Sequence, residues 1–347
     1  MKKILLLFSS LAIVFIFIET YIKYFYTQNL SGSWRIVHES GLIMNKRQGE
    51  SRHLWTEKKF TDKKMLVPPE VVYDVRYSFG KYHNRIYKDF SLEHQDEKIL
   101  ILGDSFTFGW LLNDNETFVY QLQKKFINKY FINVAVGGWG TADHLKYTEL
   151  YCAKILPKEV WVILNNFDIS RSINSNLYKI NNEGKLIFLK PEINFKLKLK
   201  LFLNSFKLYQ KLLENSHSIQ LIRNFFVNIP NDDITYGKSG ISMDDINFYA
   251  KSLFVELKKE TKLCKADLKV FYLGWPEVKY DSKTKDFVNI ASAENFFFKN
   301  NINFYNLTNS KYMANISKNL EYYKLKEGHP NKFANKIFFN SILNELK

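Results

Sequence analysis

Four short stretches of the chain combine residue types that can carry out acyl chemistry. Gly103-Asp104-Ser105-Phe106-Thr107-Phe108-Gly109 places a serine two residues after a glycine. At the end of a strand and ahead of a helix, such a serine presents its hydroxyl and its own amide together, as attack on an ester carbonyl requires. The stretch Asn133 to Gly140 ends in Gly137-Gly138-Trp139-Gly140, where an amide unobstructed by a side chain can donate to the oxyanion so formed. Asn165-Asn166-Phe167-Asp168 offers carboxamide donors to the same place, and Glu327-Gly328-His329-Pro330-Asn331 carries an imidazole with a carboxylate two residues earlier, a base and a group to orient it. Taken singly, each stretch also reads as an ordinary turn or helix cap. Their order and placement along the chain carry the reading.

The elements that must position these residues are regular. Short apolar runs at 99–102, 132–136, 160–164, 268–273 and 302–307 predict buried parallel strands. Helix-period segments near 116–130, 142–154, 243–264, 286–300 and 332–346 alternate with them. This pattern predicts an α/β fold, a three-layer α/β/α sandwich with a flavodoxin-like parallel five-stranded sheet. In such a sheet the ligand crevice lies beyond the carboxyl ends of the strands, where the first three stretches fall. The alternation breaks at about 171–240, read as an insertion with a hairpin turn at Asn181-Asn182-Glu183-Gly184 and an amphipathic helix from Phe202 to Phe226. Residues 27–95 read as a lead-in region packing on a main domain of 96–347, with Val71 to Tyr77 alternating as an exposed or edge strand.

Composition narrows the function classes. With 347 residues, 46% apolar, 16% aromatic and 24% charged, the chain is neither a disordered tail nor a multi-span membrane protein. The net charge of +15 comes from 43 Lys and only seven Arg, whereas nucleic-acid readers lean on the planar Arg fork, so no nucleic-acid partner is expected. Cys152 and Cys264 can make one bridge but no four-cysteine zinc site. His38, His53, His83, His94 and His217 have no metal-ligand spacing and are expected at the surface; His144 is expected at a solvated helix start. The alternating run Lys196 to Leu201 fits either a Lys-rich composition or a contact with an anionic surface.

The N-terminus bears on the compartment. Lys2 and Lys3 precede the run Ile4 to Ile18, interrupted only by Ser9 and Ser10, and the chain then turns bulky and aromatic rather than small. Residues 1–26 are therefore predicted to be an uncleaved signal anchor, a transmembrane helix with its N-terminus cytoplasmic and the body outside, in the periplasm or at the cell surface.

The four stretches together resemble the motif blocks of the SGNH hydrolase superfamily, or GDSL-type esterases. The resemblance covers roughly residues 70 to 347, with the first and last blocks the most specific. It implies Ser105 as nucleophile, His329 as base with Glu327 as its acidic partner, and Gly138 and an Asn, here Asn166, as oxyanion donors beside Asp104. It implies hydrolysis or transfer of acyl esters, often acetyl groups on carbohydrates, with no cofactor and no metal. The expected substrate is an acyl ester on a surface glycan or related envelope polymer. Two departures stand out. Glu327 takes the place of the usual Asp, and Phe167 stands where the third block has its Asn, leaving Asn166 one residue out of register. Losing one oxyanion donor costs on the order of 3 kcal/mol, about a hundredfold in rate. The alternative is a catalytically inactive envelope protein that binds a glycan, or serves an assembly complex, through the same crevice.

Overall fold

The computed structural model describes residues 2–32, 34–57, 70–91, 97–189, 192–193, 195–227, 234–235, 245–276 and 290–346. His94 and the beginnings of the helices predicted from 243 and 286 lie outside the described residues. The chain forms two compact units, one of residues 1–34, 50–77 and 194–233, the other of residues 35–49, 78–193 and 234–347.

The larger unit is built on five parallel strands: β1 (Glu97–Leu102), β2 (Lys129–Asn133), β3 (Glu159–Leu164), β4 (Asp267–Tyr272) and β5 (Asn303–Asn306). Their spatial order is β2-β1-β3-β4-β5, with Leu100 opposite Ile132 and Val160, and Val270 opposite Val162 and Phe304. A parallel sheet covered on both faces buries every residue of its central strands, which is why these read as unbroken apolar runs. Leu100, Leu102, Val160, Val162 and Val270 point to one face, against α2 (Thr141–Ile155), α3 (Asp245–Leu263) and α4 (Ile290–Lys299). Ile99, Ile101, Trp161, Ile163 and Phe271 point to the other, against residues of α1 (Phe118–Lys125) and α5 (Lys332–Glu345) such as Leu122 and Phe338. Strand order reverses at β1, so the segment after it opens into the crevice of the sheet.

Smaller pieces complete this unit. Arg85–Ile86 extends the sheet antiparallel to β2, Arg85 facing Asn133. Arg35–Val37 and Ile43–Asn45 form a hairpin in which Arg35 faces Asn45. The turn predicted at Asn181 to Gly184 joins Tyr178–Ile180 to Leu186–Phe188, the Asn181 carboxamide accepting from the amides of Glu183 and Lys185. Cys152 and Cys264 are joined by a disulfide that ties α2 to the end of α3, Cα to Cα 5.8 Å.

In the smaller unit the helix Lys2–Phe25 is exposed along its length, and it is the one helix among the described residues long and apolar enough to cross a bilayer. The single amphipathic helix expected over Phe202 to Phe226 is instead divided: Phe195–Ser205, Lys207–Asn215 and His217–Val227, with extended backbone at Phe206 and Ser216. The second break has a clear cause. The hydroxyls of Ser216 and Ser218 and the amides of His217 and Ser218 all donate to the Glu19 carboxylate at 2.5–2.9 Å, a cap that competes with helix continuation. The histidines also depart from expectation. His53, His83, His144 and His217 are all buried; three have hydrogen-bond partners that periodicity does not reveal, Ser31 for His53, Tyr151 and the Asn45 carbonyl for His83 and the Gln28 amide for His217, while His144 packs beside the Trp139 ring.

Candidate active site

Ser105 opens a one-turn helix, Ser105–Phe108, directly after β1, and Gly109 ends it in the left-handed region. His329 Nε2 lies 2.9 Å from the Ser105 hydroxyl, and His329 Nδ1 lies 2.7 Å from Glu327 Oε2. Both are hydrogen-bond distances, and the residues are otherwise 224 positions apart in the chain. The longer acid reaches the ring because residues 325–329 form a closed turn: the Leu325 amide donates to the His329 carbonyl and the Gly328 amide to the Leu325 carbonyl. Gly328 sits at φ +105°, a conformation that other residues enter only with strain. Asn331 then caps α5, accepting from the amides of Phe333 and Ala334. The imidazole packs edge-on against Phe106, 5.6 Å between ring centres, and Phe106 against Trp275.

Gly138 is at φ +92°, and the space a side chain would occupy is open. Among the described residues neither the Ser105 amide nor the Gly138 amide donates a hydrogen bond, so both remain able to meet an oxyanion. The other two residues grouped with them behave differently. The Asp104 carboxylate, 1% exposed, accepts from the Phe106 amide at 2.9 Å, from Asn165 Nδ2 at 2.5 Å and from Arg171 Nη1 at 2.5 Å. It holds the serine turn in place and, being anionic, would repel an oxyanion rather than bind one. Asn166 gives its amide hydrogen to the Trp275 carbonyl, 3.1 Å, and its Oδ1 accepts from the Tyr272 hydroxyl, 2.7 Å. The register offset thus carries this carboxamide into the packing between β3 and the segment after β4. Phe167, in the position of the family's Asn, lies beneath the Arg171 guanidinium.

Three arginines escaped sequence reasoning. Arg85, almost wholly buried, donates to the carbonyls of Phe108, Gly109 and Leu112 and to Asp114. Arg171 neutralises Asp104. Arg35 brings its guanidinium over Gly137. Each partner is distant in sequence, and the scarcity of Arg in a Lys-rich chain was the only available signal.

Behind the Gly138 turn sits a carboxylate with a testable consequence. Burial raises the Asp143 carboxyl from 3.8 to about 7, although the Gly140 amide donates to it. The folded protein therefore retains a proton that the unfolded chain sheds above about 4. The resulting penalty on folding is absent below pH ~4, grows as pH rises and is complete above ~7. Asp143→Asn is expected to match wild type in urea midpoint near pH 4 and to exceed it at pH 8. Burial lowers the neighbouring His144 to about 4, so it is neutral at physiological pH.

No family model matches the sequence, and no curated protein matches it. Solved structures similar to it include a crystal structure of TesA, 12% identical, with a TM-score of 0.43 over 72% of this chain and 98% of that one. Others are the psychrotrophic esterase EstA from Pseudoalteromonas sp., 14% identical with a TM-score of 0.41 over 72% and 97%, and the acetyl xylan esterase AlAXEase, 10% identical with a TM-score of 0.40 over 72% and 100%. The parallel sheet in its β2-β1-β3-β4-β5 order, with helices on both faces, the first and second sequence blocks following strand ends and the last leading into α5, is the α/β/α sandwich that the alternating apolar runs predict.

Proposed function

We propose that the chain is a serine-dependent acyl-ester hydrolase or O-acyltransferase that works on an acetylated glycan or related polymer outside the cytoplasm, held there by the helix Lys2–Phe25. The observation that carries the chemistry is the continuous hydrogen-bonded line from Ser105 through His329 to Glu327. Ser105 Oγ attacks the ester carbonyl carbon while His329 Nε2 takes its proton, and Glu327 holds the ring and offsets the charge of the imidazolium. The amides of Ser105 and Gly138 receive the oxyanion. Collapse expels the alcohol, protonated by His329, and leaves an acyl-serine. His329 then deprotonates water or a sugar hydroxyl as its oxygen attacks the acyl carbon; the acyl–Ser105 bond breaks, His329 returns the proton to Ser105 Oγ, and a carboxylic acid or a transferred ester leaves.

Compartment rests on two further observations. A disulfide between residues 112 positions apart fits an oxidising environment rather than the cytosol. The cap that Glu19 provides to the helix His217–Val227 makes the apolar helix part of the folded unit, which favours an uncleaved anchor over a removed signal peptide. At 24 residues and about 1.5 Å each it is long enough to span the hydrocarbon layer. The membrane-extracted chain is expected to keep its full mass, residues 1–25 included, by intact-mass spectrometry; a species starting after residue 19 would remove the anchor. A fluorophosphonate probe tests the chemistry. Labelling at Ser105 with turnover of an acetyl ester is expected, whereas folded protein that neither labels nor turns over would leave the inactive binding protein as the reading.

A further inference from the structure

We propose that the Arg35 guanidinium is the third oxyanion donor of this site, taking the part of the carboxamide that Phe167 displaces; the inference rests on the ester-cleaving reading of Ser105. A methyl group built on Gly137 would meet Arg35 Nη2 at 2.7 Å and Ser105 Cβ at 3.4 Å. The guanidinium and the nucleophile therefore flank one small space in front of Gly137, next to the Gly138 amide. Glycine at 137 makes this approach possible, since any side chain there would collide with the guanidinium.

The arginine is held, not dangling. Arg35 faces Asn45 across its hairpin. Asn45 Nδ2 donates to the carbonyl of Ala135, two residues before Gly137, and to that of His83. Trp139 Nε1 donates to the Ile43 carbonyl at 2.6 Å. The hairpin is thereby fastened on both sides of the Gly137–Gly138 turn, and Arg35 is preorganised toward it. The residue is exposed, as a side chain that must meet substrate has to be. At neutral pH it is a cation. Such a cation gains most when negative charge appears beside it, and a charge-assisted hydrogen bond to an oxyanion is stronger than the neutral amide contact it would replace. The substrate atoms nearest to a group this close to Ser105 are those of the reacting carbonyl, not a remote part of the ligand.

The test uses the full-length chain with p-nitrophenyl acetate, a neutral ester, and a matched ester bearing a carboxylate. Arg35→Ala is expected to lower kcat on the neutral ester about 100-fold with little change in KM, and free guanidinium ion should recover part of the loss. Phe167→Asn should raise kcat in the Arg35→Ala background more than in wild type. Unchanged kcat on the neutral ester, with a loss confined to the anionic one, would overturn the assignment and make Arg35 a reader of substrate charge. A fall in kcat accompanied by a lower melting temperature, with no guanidinium rescue, would equally overturn it, leaving a structural prop. If wild type itself neither labels nor turns over either ester, the ester-cleaving reading fails and takes this one with it; wild-type activity that Arg35→Ala leaves intact sinks the Arg35 assignment alone.

Discussion

In the His329→Ala chain, ester turnover is expected to fall by about 10⁴-fold or more and fluorophosphonate labelling of Ser105 to disappear on the timescale of wild-type labelling. The imidazole is the sole base bonded to the Ser105 hydroxyl among the described residues, and without it an alcohol must react with its proton in place. Glu327→Gln is expected to lose about 10³- to 10⁴-fold, since an amide can hold the ring but does not offset the imidazolium charge. Because both side chains lie in a turn that is partly open to solvent, neither change should move the unfolding midpoint much. Activity and stability should therefore separate. Residual turnover in His329→Ala within tenfold of wild type would remove the triad from the mechanism.

The second large effect is on the fold. Arg85→Met is expected to cost about 3 kcal/mol of stability, read as a shift in the urea midpoint. The loss leaves the carbonyls of Phe108, Gly109 and Leu112 and the Asp114 carboxylate without the donors they now share at 2.8–2.9 Å. These carbonyls belong to the segment that ends the Ser105 helix, so kcat should fall as well, by about 100-fold if the hydroxyl moves by an ångström. Arg85→Lys should recover little, because one ammonium cannot reach all the acceptors that a planar fork spans. A Lys variant with wild-type stability would show that charge alone suffices at this position.

What the sequence made legible follows from where each residue's partners lie. Strands β1 to β4 are legible because burial on both faces leaves a mostly apolar run, and α2, α3 and α5 because their periodicity is local; β5, half-exposed at the sheet edge, is legible only by its place in the alternation. Two-residue pieces such as Arg85–Ile86 carry no pattern at all. The break at Ser216 depends on Glu19, 197 residues away, and no window along the chain contains both. The same distinction holds at the site. Ser105, Gly138 and His329 were approachable through the order of their blocks. Asp104 was assigned beside the oxyanion for its proximity to Ser105, yet its direction is set by Arg171, 67 residues on. His53, His83 and His217, expected at the surface, are buried for the same reason: each imidazole is satisfied by a partner distant in sequence or by a neighbouring chain segment.

The 224 residues between Ser105 and His329 have a consequence for biosynthesis. If Ser105 and His329 act together as proposed, synthesis delivers the nucleophile early and its base only after β5, so a growing chain carries a chemically inert alcohol and gains ester-cleaving capacity only once residues 325–329 have been made and folded against it.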